Sequence, residues 1–222
     1  MNCFIENKIK SLIKTEEIED RLVVSIETRQ CLIRSYSSQD FEKCVALYGN
    51  PQNTKYFDHG NPWTKEEVEK LILQRAETFQ RNKVPLGLFS IFDKPTGNFI
   101  GQCDLFPTNE AGVLEVGCIL HTSYQRRGIG MEVVKALVHD FVHFLEEKNF
   151  TYSGGQVIKQ IIATAHPNNI SSNKIVKNLG MTYLKKEHRF GQPRCWFVID
   201  VSKKSVEKRQ EEFKTDSSEN FR

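Results

Sequence analysis

A basic, glycine-containing turn before a long helical pattern is the first place in this sequence where chemistry is expected. Its residues are Gln125, Arg126, Arg127, Gly128, Ile129 and Gly130. The first amides of a helix have no partner inside the helix, and the helix dipole adds partial positive charge there. Glycine lets an anion approach those amides, and arginine adds planar cationic donors. The turn therefore predicts a site for a phosphate or pyrophosphate group.

The spacing of the glycines excludes two common nucleotide sites. The sequence has no G-x-x-x-x-G-K-[ST] loop, which would hold a nucleoside triphosphate. It also has no G-x-G-x-x-G fingerprint, which would hold a dinucleotide. A ligand of another class that carries a phosphate or pyrophosphate is predicted instead.

The stretches on both sides of the turn predict the elements that position it. Residues 113–120 are apolar apart from Glu115 and Gly117, which is typical of a central strand covered on both faces. After the turn, apolar residues recur three and four positions apart as far as Phe150, which predicts a helix. Its apolar stripe consists of Val133, Val134, Leu137, Val138, Phe141, Val142 and Leu145. A second strand is predicted over 157–165, and strand–helix–strand connections are usually parallel.

A second motif, HPNNISSNKIVKNLGM, occupies residues 166–181 and predicts a helix that ends at Gly180. Together the two motifs resemble those of the GCN5-related N-acetyltransferases (GNAT), which bind acetyl-CoA. The turn matches the family's Q/R-x-x-G-x-G/A pyrophosphate loop. Asn169 and Ser172 match the N-x-x-S pattern of the RimJ/RimL type, which acetylates ribosomal-protein N-termini. The resemblance covers about residues 25–201.

The resemblance implies an α+β fold, in which a mixed, mostly antiparallel sheet carries helices on both faces and a central strand–loop–helix site for acetyl-CoA. We divide the chain into an N-terminal extension (1–22), an N-acetyltransferase domain (23–202) and a charged tail (203–222), which is expected to be flexible. In the extension, apolar residues at helical spacing predict a short amphipathic helix. They are Phe4, Ile5, Ile9, Leu12 and Ile13.

The resemblance also implies direct attack of an amine on the thioester, without an acyl-enzyme. Glu115 is predicted to be the general base, since relatives carry a glutamate there and it lies beside the predicted CoA loop. A salt-bridged structural glutamate is the alternative, and Asp104 on the preceding strand is a substitute base. Ser172 is predicted to protonate the CoA sulfur and Asn169 to bind the pantetheine arm. For Ser172, a helix-start hydroxyl that meets a backbone amide is the alternative.

The strand before the loop is expected to pair with the pantetheine arm as an added strand would. Its contacting residues are Val116, Gly117, Cys118, Ile119 and Leu120. We interpret Cys118 as core packing and not as a nucleophile. His121 and His166 flank the site and are secondary candidates for groups that titrate near neutrality. Val176 excludes a tyrosine acid at the position where many relatives carry one.

Composition limits the remaining function classes. The chain has 222 residues, 39% hydrophobic and 27% charged, as expected for one globular domain with extensions. A net charge of +3 is too small to predict nucleic-acid or membrane binding. Six scattered cysteines without C-x-x-C or zinc spacing predict reduced thiols, no metal and a cytoplasmic location. No apolar run has membrane-spanning length.

The sequence therefore predicts an acetyl-CoA-dependent N-acetyltransferase, present as a monomer or homodimer. The predicted acceptor is a primary amine, carried by a peptide N-terminus, a polyamine, an amino acid or an aminoglycoside. The alternative is a non-catalytic acyl-CoA-binding sensor or scaffold module. The intact motifs argue against that alternative.

Overall fold

A computed structural model of the chain describes residues 11–18, 21–82, 85–152 and 155–201. Within these ranges nine strands form one sheet. They are β1 (Leu12–Ile18), β2 (Arg21–Glu27), β3 (Cys31–Ser35), β4 (Gly87–Asp93), β5 (Phe99–Pro107), β6 (Val113–Leu120), β7 (Gln160–Ala165), β8 (Thr182–Arg189) and β9 (Gln192–Asp200). Their order across the sheet is β1-β2-β3-β4-β5-β6-β7-β9-β8. Neighbouring strands are antiparallel except β6 and β7, which are parallel, so the predicted mixed sheet is confirmed.

Helices cover both faces of this sheet, as the resemblance implies. They are α1 (Phe41–Tyr48), α2 (Pro51–Thr54), α3 (Lys65–Asn82), α4 (Ile129–Lys135), a π-helical segment (Ala136–Phe141), α5 (Val142–Glu147) and α6 (Ile170–Asn178). No helix among the described residues is long and apolar enough to cross a membrane.

The run from α4 to α5 is one continuous helix that follows the predicted loop. All seven residues of its predicted apolar stripe are buried in the main core cluster, against β3 to β7. The helix ends at Glu147, shortly before the predicted end, and Asn149 then adopts a left-handed φ of +54°. A smaller cluster on the other face joins α1 and α3 to Leu88 of β4 and Ile119 of β6.

The predicted helix of the N-terminal extension is wrong over Leu12–Ile18, which forms strand β1. This strand pairs residue by residue with β2, and the hairpin extends the sheet beyond β3. Cross-strand pairing with the β-branched run of β2 overrides the helical spacing of the apolar residues. The first ten residues and the predicted tail lie outside the described residues, so those parts of the division stay predictions.

Phe141 packs edge-on against Phe89, with ring centroids 5.8 Å apart, and both side chains are fully buried. We expect Phe141→Ala to lower the free energy of unfolding by about 3–5 kcal/mol, because it leaves a cavity between the long helix and the sheet. Leu73→Ala is the control, since Leu73 is 58% exposed, and it should cost less than about 0.5 kcal/mol. Urea denaturation of both variants measures the difference. Equal losses would show that this aromatic contact does not stabilise the core.

Candidate active site

The loop after β6 folds back on the end of its own strand. A short 3-10 turn over Thr122–Tyr124 follows β6, and the Gln125 Nε2 donates a hydrogen bond to the Leu120 carbonyl at 2.9 Å. Arg126 and Gly128 then take left-handed backbone angles, φ +61° and φ +79°. Glycine adopts this conformation without steric cost, which lets the chain reverse directly into α4.

The two glycines of the loop have different tasks. The space beside the Gly128 Cα is empty, since a Cβ built there would meet no atom within 4 Å. Residues 125–128 are all exposed. A Cβ on Gly130 would instead lie 3.1 Å from Ile175 Cδ1, so this glycine lets α4 pack against α6. The arrangement leaves exposed amides and arginines at a helix start, and these residues fit a pyrophosphate group.

Strands β6 and β7 separate after a short parallel ladder. The ladder joins Val113–Glu115 to Gln160–Ile162, and β7 continues beside β9 only. Beyond that point β6 has no strand partner on the β7 side among the described residues.

The direction of the peptide group between Leu120 and His121 shows which N–H and C=O groups of β6 face the gap. The His121 N–H donates to the Ile100 carbonyl of β5 at 2.9 Å, whereas the Leu120 carbonyl points away from β5 and accepts from Gln125. The N–H and C=O groups of every second residue share a side of the strand, so the Val116 carbonyl and both groups of Cys118 also point into the gap, whereas the Val116 N–H closes the ladder with Ile162. An extended pantetheine arm fits such an unpaired edge.

Glu115 lies where β6 and β7 separate, and it is only 8% exposed. Its Oε1 accepts a hydrogen bond from Arg189 Nη1 at 2.7 Å. The Arg189 guanidinium stands over the rings of Phe190 and Trp196, at 4.6 and 5.2 Å. The ion pair therefore ties the tip of the β8–β9 hairpin to β6, as in the salt-bridged alternative. The role of Glu115 as a general base stays a prediction.

Asp104 on β5 is a second carboxylate in this region. It stands opposite Gly117, and residues two apart on a strand share a face, so Asp104 and Glu115 lie on the same face. A Cβ on Gly117 would clash with the Asp104 carboxylate. Burial raises the pKa of Asp104 to about 6. The charge of Glu115 acts in the same direction, whereas Arg75, whose Nε lies 3.5 Å from Asp104 Oδ2, acts to lower this pKa.

The start of α6 brings Asn169 and Ser172 together. The Asn169 Oδ1 accepts a hydrogen bond from the Ser172 N–H at 3.1 Å, so Asn169 is the N-cap of α6. The Ser172 hydroxyl has no hydrogen-bond partner among the described residues, and the predicted contact of this hydroxyl with a backbone amide is not formed. The Asn173 side chain donates to the carbonyls of His166 and Asn169 at 2.9 and 2.8 Å. Sequence reasoning missed Asn173, although an asparagine in a first helical turn is a known signal for such bonds.

The flanking histidines and Cys118 are held in partly buried contacts. His121 Nδ1 lies 3.3 Å from Asn53 Nδ2, so it accepts a hydrogen bond in the neutral form, and burial lowers the pKa of His121. Burial, with Arg194 nearby, also lowers the pKa of His166. The Cys118 thiol is half-buried and its pKa is raised to about 12 by burial, which supports packing over nucleophilic attack.

The connection between α2 and α3 is held by side chains of β9, and sequence reasoning missed these contacts. Arg194 of β9, only 4% exposed, donates from Nη1 to the Tyr56 carbonyl at 2.9 Å and from Nη2 to the Asp58 carbonyl. Gln192 Nε2 donates to the His59 carbonyl at 2.7 Å. These bonds fix the connection against the β8–β9 hairpin, whose Arg189 pairs with Glu115.

The capping geometry predicts how Asn169 tolerates substitution. Asn169→Ala should lower the free energy of unfolding by about 1 kcal/mol, because a helix start loses its cap. Asn169→Asp keeps an acceptor at the cap and should stay within about 0.5 kcal/mol of the unmodified chain. Thermal unfolding of both variants, with the acetyl-CoA KM of each, tests this. A large rise in KM for Asn169→Asp at unchanged stability would favour direct binding of pantetheine by the side-chain amide.

Comparison with known proteins places this geometry in a family. Residues 30–182 match the family model described as acetyltransferase (GNAT) domain. The chain is 24% identical over 156 residues to the N-acetyltransferase YnaD of Bacillus subtilis (strain 168), itself described as uncharacterized, which covers 70% of this chain and 81% of the relative.

Two solved structures have the same fold. RimL, the ribosomal L7/L12 alpha-N-protein acetyltransferase in complex with coenzyme A, has a TM-score of 0.61 and 16% identity over 78% of this chain and 96% of its own. Spermidine N-acetyltransferase from Vibrio cholerae, in complex with CoA and spermine, has a TM-score of 0.60 and 16% identity over the same shares of the two chains. The family match spans more than half of the sequence, and this chain therefore belongs to the GNAT family of acetyl-CoA-dependent N-acetyltransferases.

Proposed function

We propose that this enzyme transfers the acetyl group of acetyl-CoA directly to the α-amine of a peptide N-terminus. The observation that carries the proposal is the gap between β6 and β7, which leads directly into the open loop 125–130. When bound, acetyl-CoA supplies an activated thioester carbonyl. The protein's own residues then have to orient that carbonyl, accept the amine proton and return a proton to the sulfur.

The binding roles follow from the geometry of β6 and its loop. The Val116 carbonyl and the N–H and C=O of Cys118 hold the pantetheine arm in the gap as a neighbouring strand would. The exposed amides near Gly128 bind the pyrophosphate, and Arg126 and Arg127 add charge-assisted hydrogen bonds. The cofactor-binding residues in this proposal are among those predicted from the sequence.

We assign the proton-accepting role to Asp104, acting through a water molecule. A general base works best when its pKa lies near the working pH, and the pKa of Asp104 is about 6. Glu115 is engaged with Arg189 and serves to hold the hairpin over the acceptor side. A weak base suffices, since an α-amine has a pKa of about 8 and is partly neutral at physiological pH.

Ser172 is assigned the opposite proton transfer. Its hydroxyl is half-buried and has no partner among the described residues, so it is available to pass a proton to the departing thiolate while it takes one back from solvent water. Asn169 acts indirectly in this assignment, because it caps the helix that carries Ser172.

The charges around the site favour a peptide N-terminus over a polyamine. Glu115 is paired with Arg189, and Asp104 is paired with Arg75. Each of these two carboxylates is thus balanced by an arginine, so neither is free to bind the additional ammonium groups of a polyamine. RimL is named for an N-terminal protein acceptor and the Vibrio cholerae enzyme for spermidine, so the fold itself is compatible with both classes.

Release of free CoA thiol against a panel of amines tests the acceptor class. We expect peptides with a free N-terminus to react at least tenfold faster, by kcat/KM, than spermidine or an aminoglycoside. The same peptides with a blocked N-terminus are the control and should not react. A preference for spermidine would overturn the acceptor assignment. If acetyl-CoA raises the melting temperature but no amine causes thiol release, the chain is a binding module.

The pH dependence of kcat/KM tests Asp104. The base must be deprotonated, so the rate should rise with pH through about 6 and rise again near 8 as the α-amine loses its proton. Asp104→Asn should lower kcat/KM by about 10²-fold and remove the lower limb only. Glu115→Gln is the matched control and should keep that limb, moved to lower pH because the charge of Glu115 no longer raises the pKa of Asp104. Loss of the limb in Glu115→Gln, with the limb retained in Asp104→Asn, would instead return the base role to Glu115.

A further inference from the structure

Strand β1 leaves an open edge at one end of the sheet. It lies before residues 30–182, the part that matches the family model, so this edge belongs to the chain's own extension. Among the described residues only β2 pairs with it. Leu12 and Ile18, at the two ends of the strand, are 53% and 49% exposed.

The backbone of β1 has free hydrogen-bonding groups on this edge. The Val24 N–H of β2 donates to Ser35 Oγ of β3 at 2.9 Å, so it points away from β1. Val24 stands opposite Thr15, which makes this a non-hydrogen-bonded pair. The N–H and C=O groups of Thr15 therefore point to the open edge, together with those of Ile13 and Glu17, two positions away on each side.

The side chains of β1 are complementary to those of a second, antiparallel copy of the same strand. In an antiparallel pair centred on Thr15, Leu12 lies opposite the partner's Ile18, and Lys14 lies opposite the partner's Glu16. By symmetry each contact occurs twice. All four residues lie on one face of the sheet, and they fall at non-hydrogen-bonded positions, where opposing side chains approach most closely.

The neighbouring symmetric registers lack this complementarity. A two-fold axis perpendicular to the sheet keeps one face of both copies on the same side, so the register can only shift in steps of two residues. One shift places Lys14 opposite the partner's Lys14, and the other places Glu16 opposite the partner's Glu16. Like charges directly opposite each other destabilise a strand pair. Charged residues on an edge normally prevent pairing, and here they favour the register centred on Thr15 over its two neighbours.

We propose that β1 is a homodimer interface, in which it pairs antiparallel with β1 of a second copy about a two-fold axis at Thr15. The two sheets then become continuous, with about six backbone hydrogen bonds across the junction. A seven-residue edge is smaller than a standard interface, so the dimer dissociates in the micromolar range. The candidate active site lies at β5 and β6, away from this edge.

A charge exchange tests the register. Lys14→Glu and Glu16→Lys each create two like-charge pairs across the interface, and each should raise the dimer Kd at least tenfold. The double variant restores opposite charges at both pairs, and its Kd should return to within about threefold of the unmodified chain. The residues opposite these positions within the chain are Ser25 and Val23, which are uncharged, so the hairpin itself should be unaffected. Sedimentation equilibrium between about 1 and 300 µM measures the Kd.

Two further variants separate this interface from a general charge effect. Glu17→Lys changes the net charge as much as Glu16→Lys, but it faces the partner's Ile13 and should change the Kd less than threefold. Thr15→Pro removes an outward amide and should abolish the dimer while the melting temperature stays within a few degrees. The proposal is overturned if the chain is monomeric up to 300 µM, whether residues 1–10 cover the edge or the edge stays uncovered. A dimer that persists in both single charge variants, or that the double variant fails to restore, would also overturn it.

Discussion

The parting of β6 from β7 after Glu115 is the constraint on which the rest of the site depends. The parallel ladder stops at Glu115, and β7 stays with β9 for the rest of its length. Unpaired peptide groups in a partly buried gap are costly unless a ligand or water binds them, so the fold retains a position for an extended polar chain. The loop 125–130 lies at the end of that gap because it is the direct continuation of β6. One break in the sheet thus specifies both ends of the proposed cofactor site.

The two carboxylates beside the gap differ in how their arginines hold them: Glu115 accepts a hydrogen bond from Arg189 at 2.7 Å, whereas Arg75 lies 3.5 Å from Asp104 without forming a hydrogen bond. Arg189 and Arg194 hold the β8–β9 hairpin, one to Glu115 and the other to backbone carbonyls of the α2–α3 connection. A buried ion pair of this kind contributes position more than stability. The effect of burial on Asp104 outweighs that of its arginine, so the pKa of Asp104 is shifted towards neutrality. The site therefore combines a fixed frame with one group suited to proton transfer.

Much of this architecture could be predicted from sequence because it depends on local patterns. Glycine spacing located the loop, and apolar periodicity located β6 and the helix after it. The predictions failed where distant residues decide. Leu12 and Ile13 fit a helical spacing, but β2 makes their segment a strand. The ion pair of Glu115 joins residues 74 positions apart, and no pattern in the sequence indicates it. The pantetheine-binding role of Asn169 stays a prediction, and its bond to the Ser172 N–H could only be seen in the structure.

Hydrogen exchange with and without acetyl-CoA is the most direct test of the gap as the cofactor site. We predict that saturating acetyl-CoA slows exchange of the amides of Cys118, Leu120 and residues 125–130, since these amides gain hydrogen-bond partners. Amides of β3 and β4, already paired on both sides, should change little and provide the internal reference. Protection confined to other segments, or none in β6 when acetyl-CoA is bound, would contradict the account.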